Sequence, residues 1–233
     1  MTYKCAAADC NCGGGKTVLL GDPKTVKNEG YLRAYGRYVQ SLNGRFYTGE
    51  DMNITEYDVA QMMMETDCVN GRAELSGNPS PLTAYGVYWG MKACAEERWG
   101  SSNLKDKVIA VQGVGAVGYP LCEYLFKEGA KLIVSDIYLE KAERIKNNFQ
   151  AEIVSPDEIY QVKCDIFAPC SIGAVLNNQT IPLLQCEIIA GCANNVLLDE
   201  KVHGDMLMAR NILYAPDFVI NAGGVINVYQ EFS

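Results

Sequence analysis

Six short apolar runs mark the second half of the chain, at 107–112, 131–136, 151–154, 164–168, 186–190 and 211–214. Most of the stretches between them carry helical spacing; residues 138–149, for example, set Leu139, Ala142, Ile145 and Phe149 on one face. Apolar runs of strand length that alternate with amphipathic helices predict a doubly wound parallel sheet. The first part reads differently. Gly13-Gly14-Gly15-Lys16 opens an expected strand at Thr17–Leu20, which Asp22-Pro23 ends, and a helix is expected over about 27–42 with a strand at Arg45–Thr48. Leu75-Ser76-Gly77-Asn78-Pro79-Ser80-Pro81 has the composition of a linker, and a helix over about 82–98 follows it. The expected organisation is α/β in two parts, residues 1–80 and residues 81–233.

Composition narrows the function classes. With 233 residues, 48% of them hydrophobic and 21% charged, the chain can bury a substantial core. A formal net charge of −8 and the lack of a basic stripe argue against nucleic acid as a partner. No apolar run reaches the length of a membrane span, and Met1 to Asp9 lacks the core of a signal peptide, so no membrane partner is expected and the location is read as cytoplasmic. Cys164, Cys186 and Cys192 sit in apolar strings and read as small buried hydrophobes of a reducing compartment. Cys5, Cys10 and Cys12 cluster without zinc-ligand spacing, so no metal is expected. The sole histidine, His203, stands among loop-like residues, which disfavours Cys–His and Ser–His–Asp nucleophiles.

The densest chemistry lies at the first of the six runs. Val108-Ile109-Ala110-Val111 leads into Gly113-Val114-Gly115-Ala116-Val117-Gly118, a helix is expected from Ala116 to Lys127, and the next run closes on Asp136, 18 residues after Gly118. Strand, glycine turn, helix and then a carboxylate is the context a dinucleotide site requires. Gly113 permits the tight turn, Gly115 lets backbone N–H groups approach a pyrophosphate, and Gly118 lets helix and strand pack closely, with the helix's positive end toward the anion. Asp136 can accept hydrogen bonds from a ribose diol. The next cation is Lys141, so a 2′-phosphate would face a like charge and NAD is favoured over NADP.

Four further groups are candidates: Lys16 behind its glycines, Lys4 ahead of the small residues Ala6 to Ala8, Asp51 in Gly49-Glu50-Asp51, and Asn221 before Ala222-Gly223-Gly224. Singly, a Lys or Asp is ordinarily a solvated charge, and an Asn before glycines a turn or cap. Together and in order they form a pattern. Met1-Thr2-Tyr3-Lys4, Gly13 through Pro23, Gly49-Glu50-Asp51, Ser76 through Pro81, Asp165 through Cys170 and Asn221 through Asn227 resemble the glutamate, leucine, phenylalanine and valine dehydrogenases, the leucine branch most closely and the tryptophan branch included.

That resemblance implies a Rossmann NAD domain preceded by part of a substrate domain, and oxidative deamination of an L-amino acid to the 2-oxo acid and ammonia. It implies Lys16 as the base for water, Asp51 as the acid handling protons at the amino group, and Lys4 and Asn221 as contacts to the substrate carboxylate. Thr83, Ala168, Cys170 and Asn194 stand where the family touches the nicotinamide end of NAD. An effective base needs a pKa of about 7–8 against about 10.4 for a free lysine, a shift that burial beside Lys4 would favour. Gly49 and Asn53 look more like the aromatic-using branches, with Gly49 opening room for a side chain; branched-chain and aromatic substrates both stay open. Cys5 and Cys10 depart from the family's usual Asn and aliphatic residues. The likeness begins inside the family's first domain and stops inside its last nucleotide-domain helix. The alternative reading is therefore a catalytically incomplete NAD-binding or assembly protein, and a homo-oligomer is expected of the longer chain.

Overall fold

The computed structural model describes residues 1–72 and 74–232, in two compact units, Met1–Pro79 with Gly224–Ser233, and Ser80–Gly223. The expected second domain, 81–233, thus loses its last ten residues to the first unit.

In the first unit, α1 (Thr2–Ala7) precedes the glycine-rich segment, and α2 (Pro23–Val26) starts at Asp22, whose carboxylate accepts the Lys24 N–H at 2.9 Å. Asn28 caps α3 (Glu29–Ser41) by accepting the Tyr31 N–H at 3.0 Å. Strand β1 (Thr48–Gly49) pairs in parallel with β2 (Val69–Asn70), and between them Thr55 and Asp58 form a capping box on α4 (Glu56–Met63). Leu32, Val59, Met62 and Val69 make the core of this unit. Gly36 lets α3 and α4 meet: a Cβ there would lie 2.7 Å from the Met62 carbonyl oxygen.

Two expectations fail here. Residues 17–20 form no strand, because no neighbouring strand offers them a ladder; Val18 and Leu20 lie 75% and 83% exposed. The strand expected at Arg45–Thr48 shrinks to β1 at Thr48–Gly49, since β2, its partner, is only two residues long.

The second unit opens with α5 (Ser80–Trp99), burying Ala84, Val87, Met91 and Ala95 at helical spacing. It continues through β3 (Val108–Gln112), α6 (Gly118–Glu128), β4 (Lys131–Ser135), α7 (Leu139–Phe149), β5 (Glu152–Ile153), β6 (Ile166–Pro169), β7 (Ile188–Ile189), α8 (Glu200–Ala209), β8 (Leu213–Tyr214) and α9 (Asp217–Ile220). Helix α10 (Gly223–Tyr229) leads out of it into the first unit. The strands form one parallel sheet in the order β5-β4-β3-β6-β7-β8, the doubly wound order with its reversal between β3 and β6. Side chains alternate across it. Ile109, Val111, Ile166, Ala168 and Ile188 enter one core with α5, α6 and α7, whereas Ala110, Phe167 and Ile189 enter a second with Ile159, Leu176 and Leu207.

His203 is the third correction. It lies buried in α8, where its Nδ1 accepts the Asp199 N–H at 2.8 Å, while Asp199 caps the helix through the Val202 N–H. The helix forms because two local caps outweigh Gly204. Among the described residues no helix is long and apolar enough to cross a membrane.

Leu121 is fully buried, so Leu121→Ala is expected to lower the unfolding free energy by about 2–5 kcal/mol. Leu20→Ala is expected to change it by less than about 0.5 kcal/mol. Urea denaturation followed by circular dichroism checks both; a large effect at Leu20 would show that 17–20 packs as a strand.

Candidate active site

The glycine turn after β3 is held from three sides. Gly113 has φ of 92°, in the left-handed region, and a Cβ there would lie 2.9 Å from Ser171 Cβ and 3.0 Å from the Cys170 carbonyl carbon. Its N–H donates to Ser135 O at 2.7 Å, and the Cys170 N–H donates to Gln112 O at 2.7 Å, which draws the carboxyl ends of β4 and β6 against the turn. A Cβ on Gly118 would come within 2.2 Å of Gly113 O, so α6 can begin there only as glycine. Gly115 has nothing within 4 Å of its missing Cβ, and Ala116 is exposed. Helix α6 starts at Gly118 rather than at Ala116, with Val117 as its cap. Turn and helix N-terminus together present open backbone of the kind that can cradle an anion such as a pyrophosphate.

Asp136 follows β4 and does two things. Its Oδ2 accepts the Val114 N–H and its Oδ1 the Tyr138 N–H, each at 2.9 Å. A carboxylate offers about four acceptor positions, which leaves room for a ribose diol. Beside it lies a cavity of about 400 Å³ lined by Asp136, Ile137, Leu139, Val154, Ser155 and Glu158. The wall carries two acids and no base among the described residues. An apolar floor with an acidic rim fits an adenosine with a free 2′-hydroxyl and opposes a 2′-phosphate. Ile137, Val154 and Glu158 had no sequence signal, since their role depends on β4 and β5 ending side by side.

The remaining candidates of the second unit gather along the same carboxyl edge. Ala168 is fully buried in β6, so only its backbone is available. Cys170 is half-buried just after that strand. A Cβ on Gly191 would meet Pro169 O at 2.2 Å, and one on Gly223 would meet Leu82 O at 2.3 Å and Thr83 Cα at 3.3 Å. These approaches bring Thr83 against the Ala222-Gly223 turn. Asn221, 3% exposed, donates its Nδ2 to Cys192 O at 2.9 Å and to Asn194 Oδ1 at 2.7 Å. The Cys192 carbonyl can only accept, so the amide orientation is set, and Oδ1 is left buried without a partner among the described residues. That unpartnered atom is an acceptor. It suits an N–H donor on a ligand better than a carboxylate.

In the first unit, Lys16 Nζ and Asp51 Oδ2 form an ion pair, and Asp51 Oδ1 accepts the Met52 N–H at 2.8 Å. The loop carrying Lys16 is seated by its glycines: a Cβ on Gly14 would meet Thr2 N at 2.0 Å, and one on Gly15 the Phe46 ring at 2.6 Å. Gly14 and Gly15 thus allow the loop to pack against α1 and Phe46. Surrounding protein lowers the Lys16 ammonium below the ordinary lysine value. Burial is the sole cause, so the expected help from Lys4 is not part of it. With 57% of the side chain exposed, water screens much of that effect. Lys4 lies inward on α1, 8% exposed.

Gly49 and Asn53 acquire structural reasons. A Cβ on Gly49 would lie 2.9 Å from Asn70 O across the β1–β2 pair, so the glycine serves strand approach and the room it was expected to open is already filled. Asn53 holds φ at 60°, a conformation asparagine tolerates, and its carbonyl accepts Lys27 Nζ at 2.9 Å. Glu50 was missed by the sequence reading. Its Oε2 is buried without a partner among the described residues, and burial, with Glu56 adding to it, raises its pKa. Nothing in Gly49-Glu50-Asp51 distinguishes the half-buried acid from the exposed one. Among the described residues no cluster could hold a metal ion.

Known proteins match over nearly the whole chain. Residues 1–68 match the family model described as Glu/Leu/Phe/Val dehydrogenase, dimerisation domain, and residues 134–233 that of Glutamate/Leucine/Phenylalanine/Valine dehydrogenase. A leucine dehydrogenase of Thermoactinomyces intermedius is 57% identical over 234 residues, 99% of this chain and 64% of its own length. An L-tryptophan dehydrogenase of Nostoc punctiforme is 52% identical over 231 residues, 99% of this chain and 65% of its own length. The crystal structure of L-tryptophan dehydrogenase from Nostoc punctiforme superposes with a TM-score of 0.80 at 50% identity, covering 99% of this chain and 66% of that one. The chain therefore spans just under two thirds of the length of these relatives.

Gly118→Ala drives a methyl group into the Gly113 carbonyl and is expected to weaken dinucleotide binding at least tenfold, about 1.4 kcal/mol. Calorimetric titration with NADH, alongside a thermal melt, checks it.

Proposed function

The chain belongs to the glutamate/leucine/phenylalanine/valine dehydrogenase family, and on that premise we propose that it carries the chemistry of an NAD-dependent oxidative deamination of an L-amino acid. The observation that carries the proposal is the ion pair of a burial-lowered Lys16 with Asp51, in a chain that also bears the glycine turn and Asp136. The chemistry NAD supplies when bound is acceptance of the hydride from the substrate Cα.

The chain's own residues take the other roles. Lys4 holds the substrate α-carboxylate by charge. Lys16, in its neutral form, takes a proton from the water that attacks the imino carbon, and Asp51 exchanges protons with the amino nitrogen. The Asn221 Oδ1 acceptor orients an N–H donor, for which the substrate's amino group is the natural candidate. Thr83, Ala168, Cys170 and Asn194 line the nicotinamide end through backbone and short side chains. Val114, Gly115, Ala116 and Val117 present backbone to the pyrophosphate, and Asp136 accepts the ribose diol. A base whose pKa is lowered is available at lower pH than a free lysine, which is what water attack requires.

The substrate class is a branched-chain or aromatic L-amino acid, in keeping with relatives named for leucine and for tryptophan. With Gly49 committed to the β1–β2 approach, it no longer argues for the aromatic branch. A homo-oligomer is proposed from the match of residues 1–68 to a dimerisation domain. A cytoplasmic location fits ten cysteines that are all free thiols.

NADH formation from leucine, valine, isoleucine, phenylalanine and tryptophan tests the reading. Lys16→Ala is expected to lower turnover about 10²–10⁴-fold. The wild-type rate is expected to rise with pH through an apparent pKa below about 10.4, because protonation removes the base. An unchanged rate in Lys16→Ala would overturn the mechanism. NAD binding without turnover on any of the five would favour an NAD-binding or assembly protein instead.

A further inference from the structure

At the amino edge of the second unit's sheet, away from the glycine turn, β6 and β7 approach in a parallel register. Lys163 pairs with Gln185 and Ile166 with Ile188, and the same offset sets Cys164 opposite Cys186. The Cys164 N–H donates to Gln185 O at 3.2 Å, which draws the two thiol-bearing residues side by side. Neighbouring strands lie about 4.7–4.9 Å apart, inside the Cα separation of about 4.4–6.8 Å that a disulfide spans.

The surroundings make the pair unequal. Both cysteines line a cavity of about 430 Å³ with Lys163, Gln185, Arg210 and Ile212. Arg210 is pinned there by the carbonyls of Pro182 and Leu184, at 3.1 and 2.6 Å. The closeness of the Cys164 thiol lowers Cys186 against the effect of burial, with the Arg210 charge assisting, while the same closeness and burial raise Cys164. Cys186, half-buried beside the cavity, is thus the sulfur that solvent-borne reagents reach, and Cys164, buried, is its partner. The chain's other thiol cluster lacks this polarity: burial pushes Cys12 up to about 11, and burial raises Cys10.

We propose that Cys164 and Cys186 form a peroxide-reactive dithiol that closes to a disulfide between β6 and β7. Cys186, its proton released to solvent, attacks one oxygen of hydrogen peroxide; the O–O bond breaks, the sulfur becomes a sulfenic acid, and hydroxide leaves to take up a proton as water. The Cys164 sulfur then attacks the Cys186 sulfur. The S–O bond breaks, and the departing hydroxide takes the Cys164 proton as a second water. Two thiols lose two electrons, and one peroxide gains them. The site lies on the opposite edge from Gly113 and Asp136, so it is independent of the proposed dehydrogenase chemistry.

Limiting hydrogen peroxide added to the full chain at neutral pH, followed by alkylation and non-reducing peptide mass spectrometry, tests this. The first cross-linked product is expected to join Cys164 to Cys186, ahead of any oxidation at Cys5, Cys10 or Cys12, and dithiothreitol is expected to reverse it. In Cys164→Ser, Cys186 is expected to accumulate sulfenic acid that dimedone traps. In Cys186→Ser, oxidation at Cys164 is expected to slow at least tenfold. Should Cys164 and Cys186 remain alkylatable in the unmodified chain while other thiols oxidise, the proposal fails whatever the variants do. Oxidation of Cys186→Ser at the wild-type rate would also overturn it.

Discussion

The Asp136 carboxylate is the constraint on which the nucleotide edge depends. By accepting the Val114 N–H it ties the end of β4 to the turn after β3, and by accepting the Tyr138 N–H it sets the start of α7. A backbone N–H buried at Val114 would otherwise lack a partner, at a cost of about 1–3 kcal/mol. The same oxygens are the ones proposed to meet the ribose. Local stability and the proposed cofactor choice therefore reside in one side chain, and the acids around its cavity give that proposed choice a sign.

Close backbone approach is the second organising theme. Gly118 against Gly113, Gly191 against Pro169 and Gly223 against Leu82 bring three loops to one edge of the sheet. Gly14 and Gly15 do the same for Lys16 in the first unit, against Thr2 and Phe46. None of these contacts leaves space for a methyl group. The candidate residues are thus positioned by what their glycine neighbours omit, with side-chain hydrogen bonds such as Asn221 to Asn194 added afterwards.

Much of the second unit was legible in the chain because its physics is local or periodic. Runs such as Val108–Gln112 and Lys131–Ser135 are apolar on both faces and end at turn signals, and α7 shows its buried stripe in Ala142 and Ile145. The turn Gly113 to Gly118 is equally local. The first unit was less legible. Val18 and Leu20 have strand-forming side chains but gain no ladder, and α4 depends on a capping box with modest amphipathicity behind it. His203 looked like a loop residue because Gly204 and Asp205 follow it, yet Asp199 and the imidazole cap a helix from its first turn.

Sequence by itself determined the parallel α/β class, the glycine turn with its carboxylate, the family and the identity of the charged candidates. Tertiary structure decided what those residues touch. It spent Gly49 on strand approach, turned the Asn221 amide toward Cys192 and Asn194, assigned the lowering of Lys16 to burial alone, and set Cys164 opposite Cys186. The division has a physical basis. Periodicity and turn chemistry are carried by residues close in the chain, whereas burial, unpartnered atoms and paired sulfurs arise only when distant segments share space.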